Sequence, residues 1–191
     1  MLGNNFVGSI PRSIGGMTNL RIFAGDLNSF NGTLPTELGL CASLEELGLS
    51  GSDIESTIPT EIGLLGNLCK YGLTDCHLVS CCCFLALTRF VAVALSLGNK
   101  LQGTIPSELG NCASMVQLAL HTNAGLEGAV PSELGNLSLL EKLQLHSTSL
   151  TGTMPAAICS LRSVKLGVLE SDCYGGTEME CAEPECCSLC F

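Results

Sequence analysis

Apolar residues recur along the chain in a frame of about 24 positions. In one clear unit, Leu44, Leu47 and Leu49 form the pattern LxxLxL, and the apolar–proline pair Ile58-Pro59 follows. The same kind of pair occurs at Ile10-Pro11, Leu34-Pro35, Ile105-Pro106, Val130-Pro131 and Met154-Pro155. Successive pairs are separated by 24, 24, 47, 25 and 24 residues. The interval of 47 is close to two repeats, so one pair is missing near residue 83.

This frame predicts a coil that is unstable alone and stable when stacked. LxxLxL is typical of a short strand whose alternate side chains point inward, and the Gly and Pro positions that follow favour turns. One coil cannot bury its own apolar face, so the copies must stack, with parallel strands ~4.8 Å apart. We expect a solenoid over residues 1–163, and a degenerate unit with a cap over 164–191. Within the solenoid we expect a partial unit at 1–19, a degenerate unit at 68–91, and full units at 20–43, 44–67, 92–114, 115–139 and 140–163.

The frame resembles the extracellular, plant-type leucine-rich repeat, whose consensus is LxxLxLxxNxLxGxIPxxLGxLxx; residues 103–110, GTIPSELG, are close to it. The resemblance implies an α/β solenoid: a right-handed coil with a parallel β-sheet on its concave face and irregular or 3-10 structure on its convex side. It also implies similarity to the ectodomains of receptor-like kinases and receptor-like proteins. We expect the consensus asparagines to bond the backbone of the next coil; they are Asn4, Asn28, Asn123 and, after a one-residue slip, Asn99.

One segment departs from the frame. Residues 78–97 are apolar apart from Arg89 and are long enough for a membrane-spanning helix. The leucine frame nevertheless continues before and after the segment, and this phase favours a degraded repeat. Two alternatives stay open: integration into a membrane through 78–97, and an error in the gene model over 79–93.

The 13 cysteines fall into groups. Cys41 and Cys112 occupy leucine positions, which predicts small buried thiols. The tail carries Cys173, Cys181, Cys186, Cys187 and Cys190. By resemblance to leucine-rich-repeat ectodomains, these tail cysteines form a disulfide-bonded cap. Five cysteines leave one over, either joined to Cys159 or free. A zinc half-site at Cys187-x-x-Cys190 is the alternative, and we predict no metal.

Disulfides indicate an oxidising compartment, and the glycosylation sequons at Asn31 and Asn136 agree with it. We therefore expect an extracellular or cell-surface location. Met1 already lies inside a repeat and no signal peptide precedes it, so the sequence reads as a fragment.

The chain carries a formal net charge of −10, which argues against nucleic-acid binding. No nucleophile, phosphate-loop or metal-protease motif is present, so we predict neither an enzyme nor a cofactor. The expected function is recognition of a protein, peptide or glycan on the concave face, with a co-receptor as a further partner. The alternative is a structural or adhesive spacer at the cell surface.

The x positions of LxxLxL point away from the core and supply the candidate ligand-binding residues: Arg21, Asp26, Glu45, Glu46, Lys70, Gln117, His121, Lys142, Gln144 and His146. The column after the second strand leucine is predicted to run Asp26, Ser50, Thr74, Gly98, His121, His146 and Glu170. His121 and His146 should therefore be neighbours, ~5 Å apart at the backbone. A solvated polar face is one interpretation. A ligand patch that loosens in acid, because adjacent imidazolium groups repel, is the other.

Overall fold

The computed structural model describes residues 4–68, 93–94, 99–172, 181, 186, 187, 189 and 190. Numbered in chain order, the strands are β1 (Val7–Gly8), β2 (Ile22–Ala24), β3 (Ser29–Gly32), β4 (Glu46–Gly48), β5 (Asp53–Ile54), β6 (Val93–Ala94), β7 (Gln102–Gly103), β8 (Gln117–Ala119), β9 (Asn123–Gly128), β10 (Lys142–Gln144), β11 (Thr148–Leu150), β12 (Val168–Ser171) and β13 (Leu189–Cys190). Every strand pairing among these residues is parallel.

The LxxLxL segments form one large sheet, which we call the main sheet. Among the described residues it has seven strands in the order β13-β12-β10-β8-β6-β4-β2. Leu47 and Leu118 lie at its centre with no exposed surface, because the frame turns the strand leucines inward. The stacked-coil architecture predicted from the frame is therefore present, and so are the parallel strands.

A second face carries two smaller sheets, β1-β3-β5 and β7-β9-β11, which we call the side sheets. Their strands begin at or after the Asn position of the frame, and all except β5 end at or just before a glycine. Gly32 and Gly103 both have φ of +74°, a conformation that glycine adopts without the steric cost of a Cβ.

The third face, the back, consists of short helices, and all except Leu161–Ser163 begin directly after the frame proline. Proline has a fixed φ and lacks an N–H, so it suits the position before a helix. An α-helix, α1, covers Ala156–Ser160. The 3-10 helices are Arg12–Gly16, Thr36–Leu40, Thr60–Leu64, Ser107–Asn111, Ser132–Asn136 and Leu161–Ser163.

Two cysteines replace leucines in the core, as predicted. Cys41 and Cys112 have no exposed surface and are free thiols. The Cys41 thiol contacts the Ile14 carbonyl oxygen at 3.3 Å, and burial raises its pKa. Both residues therefore fill space in the core.

The stacking order differs from the predicted order. The frame places a coil at 68–91 between units 44–67 and 92–114, but β4 pairs directly with β6 through Leu47 and Val93. The 3-10 helices Thr60–Leu64 and Ser107–Asn111 also pack against each other. These two units therefore contact each other directly, both in the main sheet and at the back. Residues 69–92, which include most of the 78–97 segment, lie outside the described residues.

The last unit also departs from the predicted register. Gln144 pairs with Glu170, a spacing of 26 residues, because helix α1 continues into Leu161–Ser163 and lengthens the back of this coil. Glu170 therefore lies in the column of Gln144, and the prediction that it follows His146 in its column is wrong. Asp172 takes the place beside His146.

Buried asparagines tie neighbouring coils together. The Asn123 Oδ1 atom accepts the Leu101 N–H at 3.1 Å, and its Nδ2 donates to the carbonyls of Leu120 at 2.9 Å and His121 at 3.2 Å. The bond to another coil runs to the preceding coil, which corrects the prediction that it runs to the next. The same bond to the preceding coil joins Asn28 to Phe6 and Asn99 to Ile54, each at 3.1 Å.

The tail cysteines form two disulfides among the described residues, Cys159–Cys186 and Cys181–Cys187, with Cα–Cα distances of 5.0 and 6.2 Å. The first fastens the tail to helix α1, so the odd cysteine of the tail does pair with Cys159. The second engages Cys187, which removes one thiolate from the alternative zinc half-site. Cys173 and the side chain of Cys190 lie outside the described residues.

In the described part of the chain, no helix has both the length and the apolar character needed to cross a membrane.

Replacing Asn123 by alanine should cost about 2–4 kcal/mol of unfolding free energy, because the buried Leu101 N–H and two carbonyls lose their partner. Urea denaturation measures this. The matched control is Asn111→Ala, which removes an exposed asparagine from the back. A loss no larger than that of the control would show that the amide bonds contribute little.

Ser52 occupies an asparagine position, and its hydroxyl is buried without a hydrogen-bond partner among the described residues. Ser52→Asn should raise the unfolding free energy by about 1 kcal/mol by supplying the amide that Asn28 and Asn123 use. Thermal denaturation compares it with Ser52→Ala, which only removes the unpaired hydroxyl and should change stability little. Stabilisation by Ser52→Ala equal to that of Ser52→Asn would contradict this account.

Candidate functional site

The candidate site is the outer surface of the main sheet, which we call the main-sheet face. Alternate residues of its strands point away from the core. Among the described residues, every strand between the outermost β2 and β13 is held at both edges by other coils. Side chains on such strands are positioned more rigidly than side chains on loops. The predicted ligand-binding residues fall into two groups on this face, separated by a buried middle.

The first group lies on the coils of β2 and β4. Arg21 donates two hydrogen bonds to Glu45, from Nε to Oε1 at 2.9 Å and from Nη2 to Oε2 at 2.8 Å. This two-point contact largely neutralises both side chains. Asp26 and Glu46, which we call the acidic pair, remain beside them.

The acidic pair owes its geometry to a glycine. Gly48 has no Cβ, and the Asp26 carboxylate occupies the space that a Cβ would take. From there, Asp26 Oδ1 accepts the Ser50 N–H at 2.9 Å. Burial, and then the charge of Asp26, raise the pKa of Glu46. A cationic group placed between the two carboxylates would offset the repulsion between them.

The middle of the face does not offer the contacts that the sequence suggested. Gln117 and Ala119 on β8 each have only 2% exposed surface. Gln117 is thus enclosed by the chain itself, although its x position in the LxxLxL pattern predicted a surface residue. Lys70, another candidate, lies outside the described residues.

The second group, which we call the histidine cluster, lies on the coils of β8, β10 and β12. The rings of His121 and His146 stack, with centroids 4.5 Å apart and planes 13° apart, so the predicted neighbourhood is confirmed. Each Nδ1 lies beside the hydroxyl of the next residue, at 3.1 Å from Thr122 and 3.2 Å from Ser147. The two rings therefore share one orientation.

Glu170 completes the histidine cluster. Its Oε2 accepts a hydrogen bond from Gln144 Nε2 at 2.6 Å and lies 3.7 Å from His146 Nε2. Asp172 fixes the neighbouring backbone by accepting the N–H groups of Ser147 at 2.9 Å and Thr148 at 3.1 Å. The predicted ligand set lacked both carboxylates. The longer last unit concealed their register, since only the 26-residue spacing would have placed Glu170 beside Gln144.

The electrostatics of the histidine cluster contradict the hypothesis that ligand binding weakens in acid through repulsion between two imidazolium groups. Burial lowers the pKa of His121 to about 4, with a further contribution from His146. Glu170 opposes this shift, and Lys142 reinforces it. His121 is therefore neutral between pH 5 and 8, and two adjacent imidazolium groups do not form in that range.

The described residues contain no group of three or more His, Cys, Asp or Glu side chains arranged to hold a metal ion. The main-sheet face offers hydrogen-bond donors and acceptors, several carboxylates and a stacked aromatic pair. Such a set of groups is suited to binding an extended polar ligand.

Solved structures of plant receptors resemble this chain. The leucine-rich-repeat ectodomain of the membrane receptor kinase GASSHO1/SCHENGEN3 from Arabidopsis thaliana, in complex with CASPARIAN STRIP INTEGRITY FACTOR 2, is 31% identical with a TM-score of 0.69. The alignment covers 88% of this chain and 17% of that one. The Arabidopsis receptor kinase HAESA, in complex with the peptide hormone IDA and the co-receptor SERK1, is 27% identical with a TM-score of 0.69, covering 90% of this chain and 24% of that one.

A plant ice-binding protein matches with a TM-score of 0.69 and 22% identity, over 94% of this chain and 49% of that one, which supports the fold alone. No protein-family model and no curated protein matches the sequence. The chain spans about a sixth to a quarter of the length of the two receptor chains.

The low pKa of His121 makes stability depend on pH. Below pH 6.5 the unfolded chain binds a proton at this residue, and the folded chain does so only near pH 4, so folding weakens as the pH falls through that window. The loss should be about 1–2 kcal/mol, because partial exposure screens the full shift. Urea denaturation at pH 7 and pH 4.5 should show a smaller difference for His121→Gln than for the wild type. Lys165→Gln is the control, and a His121→Gln difference as large as that of Lys165→Gln would contradict the assignment.

Proposed function

We propose that this chain recognises a peptide on its main-sheet face without catalysing a reaction. Its structure resembles the leucine-rich-repeat ectodomains of plant receptors. The observation that carries the proposal is the presence of two separate polar groups on one rigid sheet. The acidic pair lies at one end and the histidine cluster at the other. Receptor neighbours in complex with peptide ligands add support.

The spacing of the two groups sets the length of the ligand. The acidic pair involves β4 and the histidine cluster involves β10, three strand steps away in the main sheet. At ~4.8 Å a step the groups lie about 14 Å apart, which an extended peptide of about four or five residues spans. A ligand lying across the strands would reach both groups by passing over the middle of the face, where Gln117 and Ala119 are enclosed.

Charge sets the chemistry of the ligand. Asp26 and Glu46 favour a lysine or arginine side chain at one end, because a cation would offset the raised pKa of Glu46. At the other end, Lys142 and the N–H group of the neutral His121 imidazole favour an acceptor, such as a carboxylate. The proposed ligand is therefore a short peptide with a basic and an acidic residue at opposite ends.

Both sequons leave this face open. Asn31 is exposed on a side sheet, and Asn136 is exposed at the end of a back helix. Glycans at these positions would project from the other two faces. The proposed location is extracellular or cell-surface, since disulfides persist in oxidising compartments.

The handedness of the coil, the cap and a co-receptor are parts of the same proposal. A right-handed coil with the main sheet on its concave side agrees with the usual handedness of parallel crossovers. The Cys159–Cys186 disulfide supports a Cys-rich cap within residues 164–191, following a solenoid over 1–163. A co-receptor would contact the bound peptide or an adjoining face.

A peptide library displayed on phage and selected on the full-length chain tests the proposal. Selected peptides should bind the wild type and lose about tenfold or more in affinity for Asp26→Asn combined with Glu46→Gln, and for His146→Ala. Isothermal titration calorimetry measures the affinities. Each substitution removes a group that the proposed peptide contacts.

Thr104→Ala and Glu108→Gln, exposed on the other faces, serve as matched controls and should keep wild-type affinity within about twofold. Selected peptides that bind all four variants equally would overturn recognition on this face and favour the spacer. Retention of the full-length chain in membranes after carbonate extraction would instead support integration through residues 78–97.

A further inference from the structure

A polar groove lies on the side-sheet face, away from the proposed ligand site. It has a volume of about 610 Å³ and is open to solvent. Its lining includes Asn31, Asp53, Glu55, Lys100 and Gln102. Grooves that hold small ligands have volumes of about 300–1,000 Å³, so this one is large enough for a compact polar group.

The groove forms where the two side sheets meet. Asn31 on β3 is the strand partner of Asp53 on β5, and the Asp53 carboxylate lies 3.3 Å from Lys100 Nζ. Gln102 on β7 donates from Nε2 to Glu55 Oε1 at 3.1 Å. Three successive coils thus contribute polar side chains to one surface, and a sequon asparagine stands at its edge.

The lining has the chemistry that binds sugars. Carboxylates of Asp53 and Glu55 accept hydrogen bonds from hydroxyls, whereas Lys100 and Gln102 donate to ring and hydroxyl oxygens. The Lys100 and Asp53 side chains are 61% and 63% exposed, so they can exchange their mutual contact for contacts with a ligand at small cost. A ligand attached to Asn31 would already be positioned and would need no binding equilibrium of its own.

We infer that Asn31 carries an N-linked glycan whose first N-acetylglucosamine packs in this groove and stabilises the junction of the two side sheets. Asn31-Gly32-Thr33 is a sequon, and all three of its residues are exposed. In the modification, the Asn31 amide nitrogen displaces a lipid-linked pyrophosphate from C1 of the sugar. A C1–N bond replaces the C1–O bond, and one amide proton is released.

The second sequon provides a matched control. Asn136 ends the back helix Ser132–Asn136, is exposed, and is absent from the lining of this groove. A glycan there would extend into solvent. Its removal should leave stability unchanged, although the chemistry of its attachment is the same.

The experiment uses the full-length chain secreted from insect cells behind a cleavable signal peptide. In the Asn136→Gln background, glycans at Asn31 are trimmed to a single sugar by an endoglycosidase. Asn31→Gln in the same background supplies the fully deglycosylated form, because removal by an amidase would leave an aspartate beside Asp53. Mass spectrometry reports occupancy, and differential scanning fluorimetry reports the melting temperature. The trimmed form should have the same melting temperature as the intact form. The fully deglycosylated form should melt about 2–4 °C lower.

Two further variants separate groove contacts from a general effect of glycosylation. Gln102→Ala, which keeps the sequon, should abolish the difference between trimmed and deglycosylated forms. In the Asn31→Gln background, removal of the glycan at Asn136 should cause no shift. An unmodified Asn31 peptide, equal melting of the trimmed and deglycosylated forms, or a full difference retained in Gln102→Ala would each overturn the inference.

Discussion

Each coil lacks a partner for its own apolar side, and the structure depends on this constraint. Leu47, Leu118 and Leu143 come from different coils and are all fully buried, because each lies between the coils on either side. Burial of one such side chain contributes about 1.5–3 kcal/mol, but only when the neighbouring coil is in place. Stability is therefore a property of adjacent pairs of coils.

Close stacking places a second demand on the back of the solenoid. A Cβ on Gly63 would collide with the backbone and side chain of Glu108 on the next coil. Glycine at this position lets the 3-10 helices approach while the strands on the opposite side keep their spacing. The same contact joins unit 44–67 to unit 92–114, so the junction across residues 69–92 is packed as closely as the regular ones.

The rigidity of the sheet shapes what the face can recognise. Because strands hold the acidic pair and the histidine cluster at a fixed separation, a ligand must match that separation. The Arg21–Glu45 pair and the buried Gln117 reduce the number of groups that remain available. Selectivity in the proposed function would come from this small number of placed groups, since the face lacks a large exposed aromatic cluster among its described residues.

The sequence by itself determined the properties that repeat within a coil. Its periodicity placed the leucines inside, put Cys41 and Cys112 in the core, and brought His121 next to His146, because equal spacing along the chain becomes adjacency across parallel strands. Tertiary structure alone decided which coils touch and in which register. Unit 44–67 stacks on unit 92–114, Glu170 aligns with Gln144, Gln117 is enclosed, and Cys159 pairs with Cys186. A local frame specifies one coil, whereas contacts between coils depend on packing at sequence separations that the frame does not encode.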